Sequence, residues 1–262
     1  DAVSIRYLDL ASVETIKKAV SDEFGMLDGP SVEEASLVYK LNGDEVKRIK
    51  EWAVSQALET IRNRIDKFGV AEPLIQKQGE SELVIQLPGM KDPERAIQLI
   101  GKTAVLEFRI VDESMDPYKA LSVGAPPDAE IIYQQALNKD TGVVGKTPFL
   151  IKKESLLSGD SLSDARVAFD SQYNEPYVSL TFDANGARQF ERITSANVGK
   201  RLAIVLDGNV HSAPQIKEAI SGGKAQITGG FSYEESTDLA IILRAGALPA
   251  PVTVVQNVTV GP

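Results

Sequence analysis

The chain has 262 residues, 43% of them hydrophobic and 25% charged, and its 28 basic against 37 acidic side chains leave a net charge of −9. That composition belongs to a folded globular protein rather than a disordered one, and the acidic surplus argues against nucleic-acid binding. With no cysteine and one histidine, His211, disulfides, thiolate catalysis, zinc ribbons, iron–sulfur clusters and multi-histidine metal sites all drop out. Neither a cofactor nor a structural metal is expected.

Asp1 is not an initiator and no signal-peptide pattern follows it, so the chain reads as a processed or excised piece. No stretch reaches the ~20 apolar residues that span a bilayer. In chain order, residues 3–8 predict a strand, and Ser12 is placed to cap a helix ending before Gly25. A strand at 37–41 precedes a long helix over 44–68, whose Val46, Ile49, Ala53, Ala57, Ile61, Ile65 and Phe68 step by three and four along one stripe. Trp52, one position before Ala53, is expected at the core edge. Residues 74–78 and 83–87 form a hairpin around Gly79, and Asp92-Pro93 opens a helix over 94–100. Leu106, Phe108 and Ile110 then alternate with Glu107 and Arg109, a strand with one wet face. Strand–helix–strand–strand–helix–strand is the split βαβ, ferredoxin-like order.

After Val111 the pattern changes, with an irregular stretch over 112–127. A second α+β unit follows, with strands at 130–136, 147–152, 166–169 and 177–182 and a helix over 185–196 capped by Asp183. Strands at 202–206 and 210–216 flank Asp207-Gly208, a tight-hairpin signature, and a short strand lies at 225–228. A helix over 233–244 and a strand on Val252, Val254, Val258 and Val260 regain the character of the first unit. The predicted fold is therefore α+β: a ferredoxin-like base over 1–111, an inserted α+β head over 112–231, and a return to the base over 232–262. Only two crossings join the head to the base, which makes Val111, Asp112, Phe231 and Ser232 the candidate hinge residues.

Motifs for chemistry are weak. Gly142-Val143-Val144-Gly145-Lys146-Thr147 has Asp140 where a phosphate loop needs its first glycine, and Pro148 forces Thr147 into extended backbone instead of a helix start. Asp207, His211 and Ser212 are triad residue types, but they sit together on one hairpin, whereas a triad converges from separate elements. Glu33-Glu34, Glu234-Glu235 and Asp112-Glu113 are adjacent pairs whose side chains do not face one another. By elimination, a binding or mechanical module is favoured over an enzyme.

Three segments carry a resemblance. The first runs Gln56-Ala-Leu-Glu-Thr-Ile-Arg-Asn-Arg-Ile-Asp-Lys-Phe-Gly-Val-Ala-Glu-Pro73, followed by Gln76-Lys-Gln-Gly79 and Leu87-Pro-Gly89. The second is Asp92-Pro-Glu-Arg-Ala96 with Thr103-Ala-Val-Leu-Glu-Phe-Arg109, and the third is Leu243-Arg-Ala-Gly-Ala-Leu-Pro-Ala-Pro251. With Asn197-Val-Gly-Lys200 and Ala203-Ile-Val-Leu-Asp-Gly208, they resemble the SecD/SecDF family of Sec translocase accessory proteins. The resemblance implies a periplasmic domain of a bacterial inner-membrane protein, with a head that moves relative to its base. Its implied partners are unfolded preprotein, SecF and the Sec channel. The implied energy source is the proton gradient, coupled through residues outside this chain, and no catalytic residue is transferable. Among the head's apolar residues, Leu156, Leu157 and Leu162 follow no period and lie among serines and Gly159, which makes them the candidate preprotein-binding residues; the plainer reading is a loop anchored on the core. The alternative function is a docking module that contacts SecF or another membrane partner without touching cargo.

Overall fold

A computed structural model of the chain describes residues 2–90, 92–137 and 144–258. The fold is α+β and divides into two compact units: Asp1–Leu58 with Gln76–Val84, and Glu59–Ile75 with Ile85–Pro262. This division does not follow the expected boundaries at 111 and 231.

In the first unit β1 (Ala2–Arg6), β2 (Leu27–Glu33) and β3 (Ser36–Leu41) form an antiparallel sheet in the order β1-β3-β2, and α1 (Val13–Glu23) follows β1 in sequence. Val20 of α1 joins Leu37 and Tyr39 in a small core, with Ile5, Val13, Ile16 and Leu27 packed against it. The cap expected from Ser12 comes from Asp9, whose Oδ1 accepts the Ser12 N–H at 2.8 Å across a short turn; Ser12 makes no side-chain cap. Strand β2 escapes a pattern search because Gly29 and Pro30 interrupt it and its ladder shifts register between Asp28 and Ser31. Helix α2 (Gly43–Phe68) begins where Asn42 Oδ1 accepts the Glu45 N–H at 2.7 Å, and it continues into the second unit. Ala57, Ile61 and Ile65 of the predicted stripe are buried, whereas Trp52 is 58% exposed and does not join a core edge.

Strands β4 (Leu74–Gln78) and β5 (Glu82–Gln86) make a two-stranded hairpin, followed by α3 (Pro93–Gly101), where Asp92 accepts the Arg95 N–H. The expected element order through β6 (Leu106–Ile110) is present with β2 added, but its strands are shared among three sheets. Residues 112–127 are not wholly irregular: α4 (Pro117–Val123) forms because Asp116 accepts N–H bonds from Tyr118 and Lys119 and Gly124 stops it. The rest of the second unit consists of β7 (Ala129–Leu137), β8 (Val144–Lys152), β9 (Leu157–Ser158), β10 (Leu162–Phe169), β11 (Pro176–Phe182), α5 (Ala184–Ala196), β12 (Leu202–Leu206), β13 (Asn209–Ser212), β14 (Lys224–Ile227) and α6 (Tyr233–Ala245). A six-stranded sheet runs β8-β7-β13-β12-β6-β9 and a three-stranded one runs β10-β11-β14.

The larger sheet curls until β6 meets β8. Val111 bridges Ile151, and Arg109 Nε donates to the Lys152 carbonyl at 2.7 Å. The inside of the curl buries Ile132, Phe149, Ile151, Ala203, Val205 and Val210. This closure also changes the face of β6 expected to be wet: Arg109 is buried and paired with Glu130 at 2.6 Å. The outer face packs on the second sheet and on α5 and α6, where the Phe108, Phe182 and Phe190 rings meet with centroids 4.9–5.7 Å apart. Ser232 and Glu235 close a full capping box at the start of α6. Residues 249–258 form no strand: Pro249 and Pro251 lack the N–H that a ladder requires, and Val254, Val255 and Val258 are exposed. Val260 lies outside the described residues.

Gly186 lets α5 approach the turn before β10. A Cβ there would lie 2.7 Å from Ser161 Cβ and 3.0 Å from its carbonyl oxygen. Gly186→Ala should therefore lower the melting temperature by about 2–6 °C, the clash outweighing the helix-propensity gain. Gly25→Ala, with nothing within 4 Å, serves as the neutral control in the same thermal scan. An unchanged or raised transition for Gly186→Ala would mean that the helix can shift freely.

Candidate functional site: an apolar cleft at the start of β6

A cleft of about 180 Å³ is lined by Ala104, Val105, Leu106, Ser158, Gly159, Asp160, Leu162, Leu243, Gly246 and Ala247, all in the second unit. Its first wall is the turn from α3 into β6. Ala104 is buried at φ 60°, a left-handed conformation that costs an L-residue about 1–3 kcal/mol. Asp207 holds it there: its carboxylate accepts the Thr103 hydroxyl at 2.6 Å, the Ala104 N–H at 3.1 Å and the Val105 N–H at 2.9 Å. Asp207 is itself the first residue of the predicted Asp-Gly hairpin turn, at φ 48° with Gly208 at 72°.

The second wall is the end of α6. Gly246 sits at φ 92°, and its carbonyl accepts from Arg64 Nη2 at 3.0 Å; Lys67 Nζ donates to the Arg244 carbonyl at 3.2 Å. Arg64 Nη1 also donates to the Leu99 and Ile100 carbonyls of α3 at 2.9 and 3.2 Å. Burial pushes the Arg64 guanidinium down to about 10, partly opposed by the Asp207 charge, so it stays cationic at neutral pH. Leu248 N–H donates to the Thr103 carbonyl at 2.8 Å and ties the two walls together. The third wall is the short turn Gly159–Ser161, which packs closely on β6, since a Cβ on Gly159 would lie 3.0 Å from Leu106 Cβ.

Pockets for drug-sized ligands occupy about 300–1,000 Å³, while a single water needs about 10–15 Å³. At about 180 Å³ the cleft suits one inserted apolar side chain. Val105, 44% exposed, stands at its mouth.

Of the three leucines expected to meet a polypeptide, only Leu162 lines this cleft. Leu157 is buried in the main core opposite Phe108, and Leu156, whose N–H donates to the Phe108 carbonyl at 2.9 Å, packs on the same core. The loop is anchored because β9 adds to the edge of β6. Val105 and Ala247 were not legible as site residues, because nothing local distinguishes a residue beside a turn until its distant neighbours are known.

Of the four candidate hinge residues, all inside the second unit, Val111 and Asp112 are buried. Val111 N–H donates to the Arg201 carbonyl at 3.0 Å and Asp112 N–H to the Leu150 carbonyl at 2.8 Å. The Ser114 hydroxyl and amide, with Lys152, hold the Asp112 carboxyl below the usual carboxylate range. Phe231 stacks on His211 with centroids 5.8 Å apart, and Ser232 is the α6 cap. Bending at Val111–Asp112 would break these two ladder-like bonds.

Of the triad residue types, only Asp207 has its side chain committed by hydrogen bonds to another element among the described residues. The Asp207 carboxylate serves the β6 turn, Ser212 Oγ is buried without a partner, and burial and Lys102 push the His211 imidazole down. Gly145, Lys146 and Thr147 lie in β8, with Thr147 opposite Gln134, so they open no helix; Gly142 and Val143 lie outside the described residues.

Residues 130–250 match the family described as SecDF, P1 head subdomain, and residues 54–113 match protein translocase subunit SecDF, P1 domain, N-terminal. The chain is 51% identical over 247 residues to protein translocase subunit SecD of Desulfurispirillum indicum, covering 94% of this chain and 48% of that protein. It is 49% identical over 264 residues to SecD of Calditerrivibrio nitroreducens, covering 99% and 51%. The chain thus spans about half the length of these curated relatives. A solved structure of SecDF, described as a membrane component that enhances protein export, aligns with a TM-score of 0.63 at 41% identity, covering 80% of this chain and 94% of that one. SecDF in its super-membrane-facing form aligns with a TM-score of 0.63 at 40% identity, covering 78% and 27%.

Asp207→Ala should destabilise the second unit by about 2–4 kcal/mol, because two amides lose their acceptor beside a strained residue. Adding Ala104→Gly should recover about 1 kcal/mol by making the left-handed backbone inexpensive. Urea unfolding midpoints measure both. A loss below about 0.5 kcal/mol would reduce Asp207 to an ordinary turn residue.

Proposed function

The chain belongs to the SecD/SecDF family of protein translocase subunits, and we propose from that premise that it captures preprotein emerging on the periplasmic face of the bacterial inner membrane. In this reading the chain acts without catalysis or cofactor, beside SecF and the Sec channel. Its head changes orientation as the proton gradient is used elsewhere in the protein.

The observation that carries the reading is the cleft between β6, β9 and α6. Capture must tolerate any sequence and must end in release. Burying one apolar side chain contributes about 1.5–3 kcal/mol, and even a millimolar complex needs about 4 kcal/mol. A single insertion into the cleft is thus a weak, sequence-tolerant hold. Strand addition is the usual alternative for sequence-blind binding, but the longer edges are blunted. Pro148 and Lys146 stand on β8. Along β10, α6 is held at one end by the Phe169–Tyr233 stack and at the other by Arg244 Nε donating to the Ala165 carbonyl at 3.1 Å.

A photo-cross-linking side chain at Val105 of the full-length membrane protein should form adducts with a stalled preprotein. Filling the cleft with Ala247→Phe should reduce those adducts several-fold. Adducts to membrane partners alone would replace capture with docking, and no adduct at all would remove the cleft from the pathway.

A further inference from the structure

The first unit carries an exposed apolar end that nothing in its own core uses. Leu8 is 99% exposed and Leu10 79%, and Val32 at the end of β2 is 62% exposed. Single exposed leucines are ordinary, but these two are displayed on a fixed turn. Asp9 Oδ1 accepts the Ser12 N–H and the Ser12 hydroxyl donates back to the Asp9 carbonyl, both at 2.8 Å. The turn is tied to the β2–β3 hairpin by Tyr7 N–H donating to the Ala35 carbonyl at 3.1 Å. Across the sheet, Val32 stands beside Leu37, which stands beside Ile5, so one row of the ladder leads from the small core to the exposed rim.

The charges at this end have one predominant sign. Asp9 lies between Leu8 and Leu10, and Glu33 and Glu34 follow Val32 directly, with Glu34 held at φ 52° in the hairpin turn. Arg6 is the counter-charge in the row Arg6–Ser36–Glu33, roughly two strand spacings or about 10 Å from Glu33. Lys17 is engaged with Glu14 at 2.8 Å, so that pair adds no net charge. An anionic lipid surface would be repelled by such an end.

We infer that this end of the first unit is a docking surface for a basic, apolar-bearing polypeptide segment. Its leucines take up apolar side chains, and the carboxylates at Asp9, Glu33 and Glu34 pair with lysine or arginine. The inference stands on the first unit alone and is independent of the cleft and of preprotein capture. Complementary charge also predicts faster, salt-sensitive association.

The test uses the 262-residue chain and two labelled 12-residue peptides, one of leucine and lysine and one of leucine and glutamate, followed by fluorescence anisotropy. The lysine peptide should bind at least ~10-fold more tightly than the glutamate peptide, a difference of about 1.4 kcal/mol. Leu8→Ser with Leu10→Ser should weaken it about 5–10-fold, and raising the salt from ~0.05 to ~0.3 M should weaken it too. Should the serine variant lose its thermal transition, Glu33→Gln with Glu34→Gln gives the independent reading, again with weaker binding and a flatter salt dependence. Equal binding of the two peptides, or no effect of either variant, would overturn the proposal. So would sedimentation with phosphatidylcholine vesicles that depends on the leucines without peptide binding, since that would make the end a bilayer contact.

Discussion

The second unit depends on a buried cation, Arg64, that has no carboxylate in contact among the described residues. Its terminal nitrogens donate to main-chain oxygens, those of Leu99, Ile100 and Lys102 around the end of α3 and that of Gly246 beyond α6, while Nε is buried with no partner among the described residues. The last carbonyls of a helix have no partners of their own and carry its partial negative charge, so a cation placed there relieves both deficits. Desolvating a charge in an interior is costly, and here several oriented dipoles offset that cost. A lysine would bring the charge but not the planar fork that reaches two helix ends at once. What this interaction holds together is the cleft, because the Ala104 wall and the Gly246 wall both begin within a few residues of Arg64's acceptors.

Asp207 is the anionic counterpart. It completes a hairpin turn and, with the same carboxylate, holds the strained entry to β6. Two side chains of opposite charge, one on a helix and one in a turn, therefore fix main-chain geometry in the two walls of the cleft that begin at Thr103 and at Gly246. These bonds shape the cleft, and most of its lining, apart from Ser158 and Asp160, is apolar.

The curled sheet has a consequence for binding. Meeting β8 end-on, β6 removes part of one edge and buries Arg109 against Glu130, while α6 lies along β10. Sheets with open edges pair readily with other chains. Under the proposed function, capture of unfolded preprotein would bring that hazard to every exposed edge. Blunting the main-chain edges while leaving a side-chain cleft open restricts contact to the weak, reversible kind.

Much was legible in the sequence, and for a local reason. Helical stripes, Asp92 and Asp183 caps and the Asp207-Gly208 turn depend on residues within four positions of one another, so a pattern search finds them; the motifs from Gln56 to Pro73 and from Leu243 to Pro251 likewise indicated the family. Strand β2 was hidden because Gly29 and Pro30 break its alternation, and α4 because proline and glycine marked only its ends. Tertiary structure alone decided that β6 pairs with β12 and β9, that Arg109 is buried, that Leu157 is core while Leu162 faces a cleft, and that Val252, Val254 and Val258 form no strand. Period and capping act within a turn of helix or a hairpin. Which strand finds which edge, and which apolar side chain is left facing a gap, depends on residues tens of positions away along the chain.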